Sequence, residues 1–282
     1  MKNVLLLTDF TRKSANAHDY ACRLFSGETC RFTLLSVQKL WHYTMDELMV
    51  ATYYGLDEAL LGDNRIKVEE QARILREQHP NEAFTFEGMV DHEHFTKAVK
   101  KSKTLNEIDL IVIGSDGVSG ISEAIWSTHS LRIIRNVDCP VLMIPEDYSF
   151  QNLERIQYLL DYNDVFDKCG KELLIDMINS YQPEIDALRL NFGYRMVPEN
   201  FESELEKMRN VFFDCNVDYF AQTGDSPHAF ILSHLIGKPA QMQVLSADNS
   251  SFLKETFSAS HLKLIVDQAT IPLLILRNCH DS

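Results

Sequence analysis

The chain repeats itself, and the repeat limits what it can fold into. Residues 110–144 read LIVIGSDGVSGISEAIWSTHSLRIIRNVDCPVLMI, and residues 242–276 read MQVLSADNSSFLKETFSASHLKLIVDQATIPLLIL. The segments align without a gap: Asp116 falls on Asp248, His129 on His261 and Pro140 on Pro272. Each reads as an apolar strand, a polar loop, a helix and a second apolar strand, near the end of one half. A period this long means two duplicated domains, because solenoid units are much shorter. The copies diverge in the loop, where Gly114 and Gly117 of the first half become Ser246 and Asn249 in the second.

Strand and helix signals alternate through both halves. In the first, Val4–Leu7 is a short apolar run suited to a parallel strand covered on both faces. An amphipathic helix follows over Ala15–Phe25, then a strand at Phe32–Val37 and an excursion from Trp41 to Asp63. Arg65–Gln78 reads as helix, Ala83–Val90 as strand and His94–Leu105 as helix. Leu110–Ile113 and Val141–Ile144 are the last strands. The second half repeats the order: strand from Ile156, helix Lys168–Tyr181, strand Ala187–Phe192, helix Ser203–Phe213 and strand Val217–Gln222. A helix opens at Gly224-Asp225-Ser226-Pro227, with cap chemistry and an early proline, before strands at Val244–Leu245 and Leu273–Leu276. The break falls near Glu146–Asn152, giving domains over 1–147 and 152–280. The expected fold class is α/β, with two doubly wound parallel five-stranded sheets.

With 282 residues, each half can bury its own core. No apolar run reaches the length of a membrane span, and MKNVLLLTDF reads as a buried strand rather than a signal peptide. The formal charge of −14 repels nucleic-acid backbones and anionic lipid, so neither is expected as a partner. Cys22, Cys30, Cys139, Cys169, Cys215 and Cys279 form no C-x-x-C pair and no zinc spacing. Scattered thiols of this kind point to a reducing cytoplasm.

In doubly wound sheets, ligands sit beyond the carboxyl ends of the strands, where the strand order reverses. Thr8-Asp9, Val37-Gln38 and the loop from Gly114 reach that edge in the first half. Gly114, Gly117 and Gly120 would let the backbone approach a phosphate, and a helix starting near Ser127-Thr128 adds a positive dipole end and a hydroxyl. The plainer alternative is that these glycines only form a tight strand-to-helix turn.

Thr8-Asp9-Phe10-Thr11, Gly114-x2-Gly117-x9-Ser127-Thr128 and Cys139-Pro140-Val141-Leu142 together resemble the universal stress protein family, here in tandem on one chain. The resemblance is strong in the first half and weaker in the second. It implies a Rossmann-like fold of the adenine-nucleotide alpha-hydrolase type, with the halves forming a pseudo-dimer. It also implies that Thr8 and Asp9 meet ribose and adenine, and that Val37 flanks adenine through its backbone. Gly114 and Gly117 would line the phosphates of ATP, and Thr128 would donate to the terminal one.

Two departures stand out. Ser127 replaces a glycine, and Asp116 sets a carboxylate beside the phosphates. An unscreened like charge there costs on the order of a few kcal/mol, or about a hundredfold in affinity. A magnesium ion between Asp116 and the nucleotide would reverse the sign. In the second half Ser246, Asn249 and Ala259 stand at the family's glycine positions, although Asp161 and Ser260 remain, so no phosphate cradle is expected there.

Other signals are weaker. Asp91-His92-Glu93-His94 has metal-binding residue types but no further ligand, and reads as a polar turn. His129 and His261 read as helix-start packing, and Lys97–Lys103 as a solvated face. No nucleophile has a base beside it, so no enzyme is expected. The expectation is a cytoplasmic stress-associated protein that binds an adenine nucleotide, with pairing into a homodimer left open. The rival is a nucleotide-independent interaction scaffold, or a second domain with another small ligand.

Overall fold

The computed structural model describes residues 1–38, 56–116, 125–161, 171–190, 201–212, 215–222, 226–247 and 264–277. The chain divides into two compact units, Met1–Phe150 and Gln151–Ser282.

Unit 1 runs β1 (Lys2–Thr8), α1 (Arg12–Leu24), β2 (Cys30–Val37), α2 (Leu56–Gln78), β3 (Phe84–Asp91), α3 (Phe95–Leu105), β4 (Leu110–Ser115), α4 (Ile125–Asn136) and β5 (Val141–Pro145). The strands are parallel, in the order β3-β2-β1-β4-β5. Val4, Leu5, Leu6 and Leu7 of β1 are all buried, as an uninterrupted apolar run in a central parallel strand must be. The register sets Thr8 beside Ser36 of β2 and Leu6 beside Val112 of β4. The chain builds outward from β1 to β3, then returns to the other side of β1 for β4. The order therefore reverses between β1 and β4, and a crevice opens at their carboxyl ends.

Helix α1 packs Ala17, Tyr20, Ala21 and Leu24 into the core. It also holds the exit from β5: Asn16 Nδ2 donates to the carbonyls of Pro145 (3.1 Å) and Tyr148 (3.0 Å). The Tyr20 ring meets Phe150 edge-on at 5.3 Å. On the other side of the sheet centre, Phe32 stacks on Phe86 and meets Phe84 edge-on, joining β2 to β3.

Helices α1 and α2 begin close to a turn or more earlier than the sequence pattern predicts. Helix α1 starts at Arg12 instead of Ala15, and α2 starts at Leu56 instead of Arg65. In α2 the buried residues Leu61, Val68, Ala72 and Leu75 form one helical stripe. Gly62 and the polar Asp63-Asn64 pair lie within the helix because packing along that stripe outweighs local propensity. The excursion over 39–55 lies outside the described residues.

Unit 2 runs β6 (Arg155–Asp161), α5 (Glu172–Tyr181), β7 (Glu184–Leu190), α6 (Phe201–Val211), β8 (Val217–Ala221), α7 (Pro227–Gly237), β9 (Met242–Ala247) and β10 (Leu273–Arg277). Its strands are parallel in the order β10-β9-β6-β7-β8, the same plan as unit 1. Ser226 caps α7 by accepting from Ala229 N at 3.2 Å, with Pro227 in the first turn, as the sequence predicts. At the amino end of this sheet the buried Asp186 accepts from Arg155 (3.2 Å) and His234 (3.0 Å), with Lys238 at 3.5 Å. Among the described residues no helix is long and apolar enough to cross a membrane.

Candidate functional site

The crevice of unit 1 begins with the turn that ends β1. Thr8 is buried, donates its hydroxyl proton to Gln71 Oε1 of α2 at 2.9 Å and accepts from Phe10 N at 3.1 Å. Asp9 Oδ1 accepts from both the backbone N–H (3.0 Å) and the hydroxyl (2.5 Å) of Thr11. These two side chains hold Phe10 at φ 63, a left-handed conformation that costs a residue with a Cβ about 1–2 kcal/mol. Lys67 lies over the Phe10 ring at 5.7 Å. The Thr-Asp pair thus forms a side-chain-braced turn that fixes where α1 starts.

Because α1 starts at Arg12, Lys13 lies in its first turn. Its ammonium sits 2.7 Å from Asp116 Oδ1 and 4.0 Å from Asp9 Oδ2, with the lysine side chain only 10% exposed. The carboxylate expected to face a ligand's phosphates unscreened is therefore already paired with a cation of the chain itself. Lys13 is the site residue that the sequence reading missed. Arg12-Lys13 reads as ordinary helix-surface charge, and the partner Asp116 lies in a distant loop.

Gly114, near the end of β4, packs against the first turn of α1. A Cβ there would stand 2.5 Å from the Lys13 carbonyl oxygen and 3.1 Å from Ser14 N. The glycine is needed for β4 to pass under α1, whether or not a ligand is present. Gly114→Ala should destabilise the protein by about 2 kcal/mol, since backbone must yield to backbone. An unchanged urea midpoint would mean that α1 can withdraw freely.

Val37 ends β2 half-buried at the same edge, two strands from β4. Thr8, Asp9, Val37, Gly114 and Asp116 thus share one sheet edge. Ser127 and Thr128 fall inside α4, which starts slightly before the predicted point. Gly117 lies outside the described residues, as do the side chains of Ser127, Thr128 and His129. Ser260, His261, Asn249 and Ala259 of the second half are also outside them.

The polar run after β3 is tied up internally. Asp91 accepts from Glu93 N (2.7 Å) and from Lys101 Nζ (3.1 Å), and among the described residues no three His, Cys, Asp or Glu side chains cluster as a metal site. The Asp91 contact also raises the Lys101 ammonium above its ordinary value. Cys22, Cys30 and Cys139 are buried, and burial pushes the Cys30 thiol up to about 11 and that of Cys139 to about 12. They pack as inert apolar side chains.

The matching edge of unit 2 is built differently. The register pairs Leu160 of β6 with Arg189 of β7, where unit 1 pairs Thr8 with Ser36. Arg189 is 2% exposed, donates from Nε to the Tyr219 hydroxyl at 2.8 Å and forms an ion pair with Glu204 of α6. Burial raises the Tyr219 phenol above its ordinary value, and the arginine partly offsets this. A bulky, paired arginine thus occupies a strand end that carries a small serine in unit 1.

The universal stress protein family profile matches residues 1–145. Among solved structures, a universal stress protein from Archaeoglobus fulgidus is 15% identical, with 98% of each chain covered and a TM-score of 0.66. A putative universal stress protein from Pseudomonas aeruginosa is 11% identical, covers 99% of this chain and 94% of its own, and has a TM-score of 0.57. The cytoplasmic domain of a prokaryotic cation chloride cotransporter is 10% identical over 98% of this chain and 95% of its own, with a TM-score of 0.56. No curated protein matches in sequence. The family profile spans just over half the chain, the half that holds the braced Thr8-Asp9 turn and the Gly114 crossing, and this chain belongs to the universal stress protein family.

Proposed function

We propose that unit 1 binds an adenine nucleotide at the carboxyl ends of β1 and β4, with ATP the compound implied by the family motif, and that the chain senses it in a stress response without turning it over. The observation that carries this reading is the meeting of the Thr8–Asp9 turn, Val37 and Gly114–Asp116 along the edge where the strand order reverses. Asp9 and Thr8 would face the adenosine moiety, and Gly114, Gly117, Ser127 and Thr128 the phosphates. The Lys13 ammonium pairs with Asp116, so that this carboxylate does not face the ligand unscreened.

Unit 2 is a degenerate second copy in this reading. Ser246, Asn249 and Ala259 replace the loop glycines, and the Arg189–Glu204–Tyr219 cluster supports loss of the ligand there. We place the two units, 1–147 and 152–280, in a pseudo-dimer formed through the apolar edge strands β5 and β10, a pairing that would protect both edges from aggregation. One observation favours the rival scaffold reading: Gly114 is required by the packing of α1 alone.

The test is thermal unfolding of the whole chain with millimolar ATP, ADP and adenosine, with and without magnesium. Ligand at about 100 times its dissociation constant stabilises the folded state by about 2.7 kcal/mol. A shift with an adenine compound and none with a pyrimidine nucleotide is the expected result. No shift with any adenine compound would leave the scaffold.

A further inference from the structure

We infer that the Lys13–Asp116 pair sets how many phosphates the ligand of unit 1 can carry, favouring nucleosides and monophosphates over triphosphates. The inference rests on the adenine-nucleotide reading above and specifies the ligand class within it.

The geometry is that of an anion site whose anion belongs to the chain. Lys13 is anchored by its backbone, because Gly114 leaves only enough room for the Lys13 carbonyl. Its ammonium is largely shielded from solvent and lies against Asp116 Oδ1 at 2.7 Å, with the second carboxylate, Asp9, at 4.0 Å. Asp9 and Asp116 lie at the carboxyl ends of β1 and β4, on either side of the crevice. Two carboxylates thus stand around one ammonium, in a chain of formal charge −14. In such a shielded place the two fixed charges interact more strongly than they would in water.

A phosphate reaching for Lys13 must therefore share the ammonium with Asp116 or displace it. Either way a carboxylate stands beside the phosphate oxygens, and every further phosphate adds charge of the same sign. Adenosine brings no such charge, and a monophosphate brings the least. Asp116 thus acts as a built-in competitor for the lysine, and it ranks ligands by charge.

Calorimetric titration of the full chain with adenosine, AMP, ADP and ATP, in buffer without divalent cations, tests this. The readout is the ratio of the ATP to the adenosine dissociation constant in each protein. Wild type should show the dissociation constant rising along the series from AMP to ATP, so that this ratio exceeds one. Asp116→Asn removes the competing carboxylate and should shift the ratio toward ATP by about tenfold or more. Lys13→Gln removes the cation that the two carboxylates share and should shift it the other way, by a similar factor. Asp9 remains beside Lys13 in the first variant, so the lysine keeps a counter-ion and the fold a reason to hold it.

Adenosine or AMP binding with a ratio that neither variant moves would overturn the charge ranking while leaving the nucleotide reading intact. So would a wild-type preference for ATP that Asp116→Asn abolishes. Absence of binding by all four compounds in all three proteins would overturn both readings together.

Discussion

Glu204→Ala is expected to destabilise the protein by about 3–5 kcal/mol, a large share of the roughly 5–15 kcal/mol that holds a domain folded. Arg189 is almost fully buried on β7, and its guanidinium pairs with the Glu204 carboxylate from α6. Two ions taken out of water repay their desolvation largely through each other. Deleting the carboxylate removes the opposite charge, and a neutral partner such as the Tyr219 hydroxyl at 2.8 Å replaces only part of the attraction. Glu204→Gln keeps an acceptor and should cost less. Arg189→Met removes the charge and fills the same space, so it should be milder than Glu204→Ala. Urea unfolding followed by far-ultraviolet circular dichroism ranks the three. A loss below about 1 kcal/mol in Glu204→Ala would mean that the guanidinium has a route to water that its burial denies.

Acid should weaken the protein through His18 before most carboxylates titrate. The ring is buried on α1, and its Nε2–H donates to the Leu7 carbonyl of β1 at 3.1 Å. Burial disfavours the imidazolium and pushes the pKa down from 6.5 to about 4, outweighing the opposing effects of the Leu7 carbonyl and Asp9. A folded pKa below the unfolded one means that the unfolded chain takes up a proton the folded chain refuses. The stability is fully present above the unfolded value. It is lost as pH falls from about 6.5 to about 4, by an amount on the order of 3 kcal/mol. His18→Gln keeps a donor for Leu7 and cannot titrate. The difference between the two pH profiles therefore isolates the histidine from the carboxylates. Parallel profiles across that window would show that the ring is protonated in place.

The arrangement of strands was legible in the sequence because burial imposes it directly. Val4–Leu7, Leu110–Ile113 and Val141–Ile144 are apolar without interruption, and only a parallel strand covered on both faces uses such a run. The repeat extended the same plan to β6–β10. Ser226 and Pro227 marked a helix start because capping is a local matter.

What stayed illegible depends on partners far apart in the chain. Lys13 with Asp116, and Arg189 with Glu204 and Tyr219, are each brought together by sheet order and helix packing. Before the fold is known, each of these residues is indistinguishable from surface charge. The early start of α2 was hidden for a related reason. Gly62 and Asp63-Asn64 look like a break locally, and only the stripe from Leu61 to Leu75 shows what they gain by being helical. Gly114 was legible as a glycine with a purpose, but its neighbour proved to be the backbone of α1.

Helix α1 presents Lys13 at its start and, one turn later, Asn16, whose amide grips the carbonyls of Pro145 and Tyr148 where the chain leaves unit 1. Both residues ride on one stiff rod, and close-packed interiors transmit small displacements instead of absorbing them. The carboxyl ends of β1 and β4 and the exit from β5 are therefore held by one body, and a strain applied at the lysine is felt at the turn from Pro145 to Tyr148.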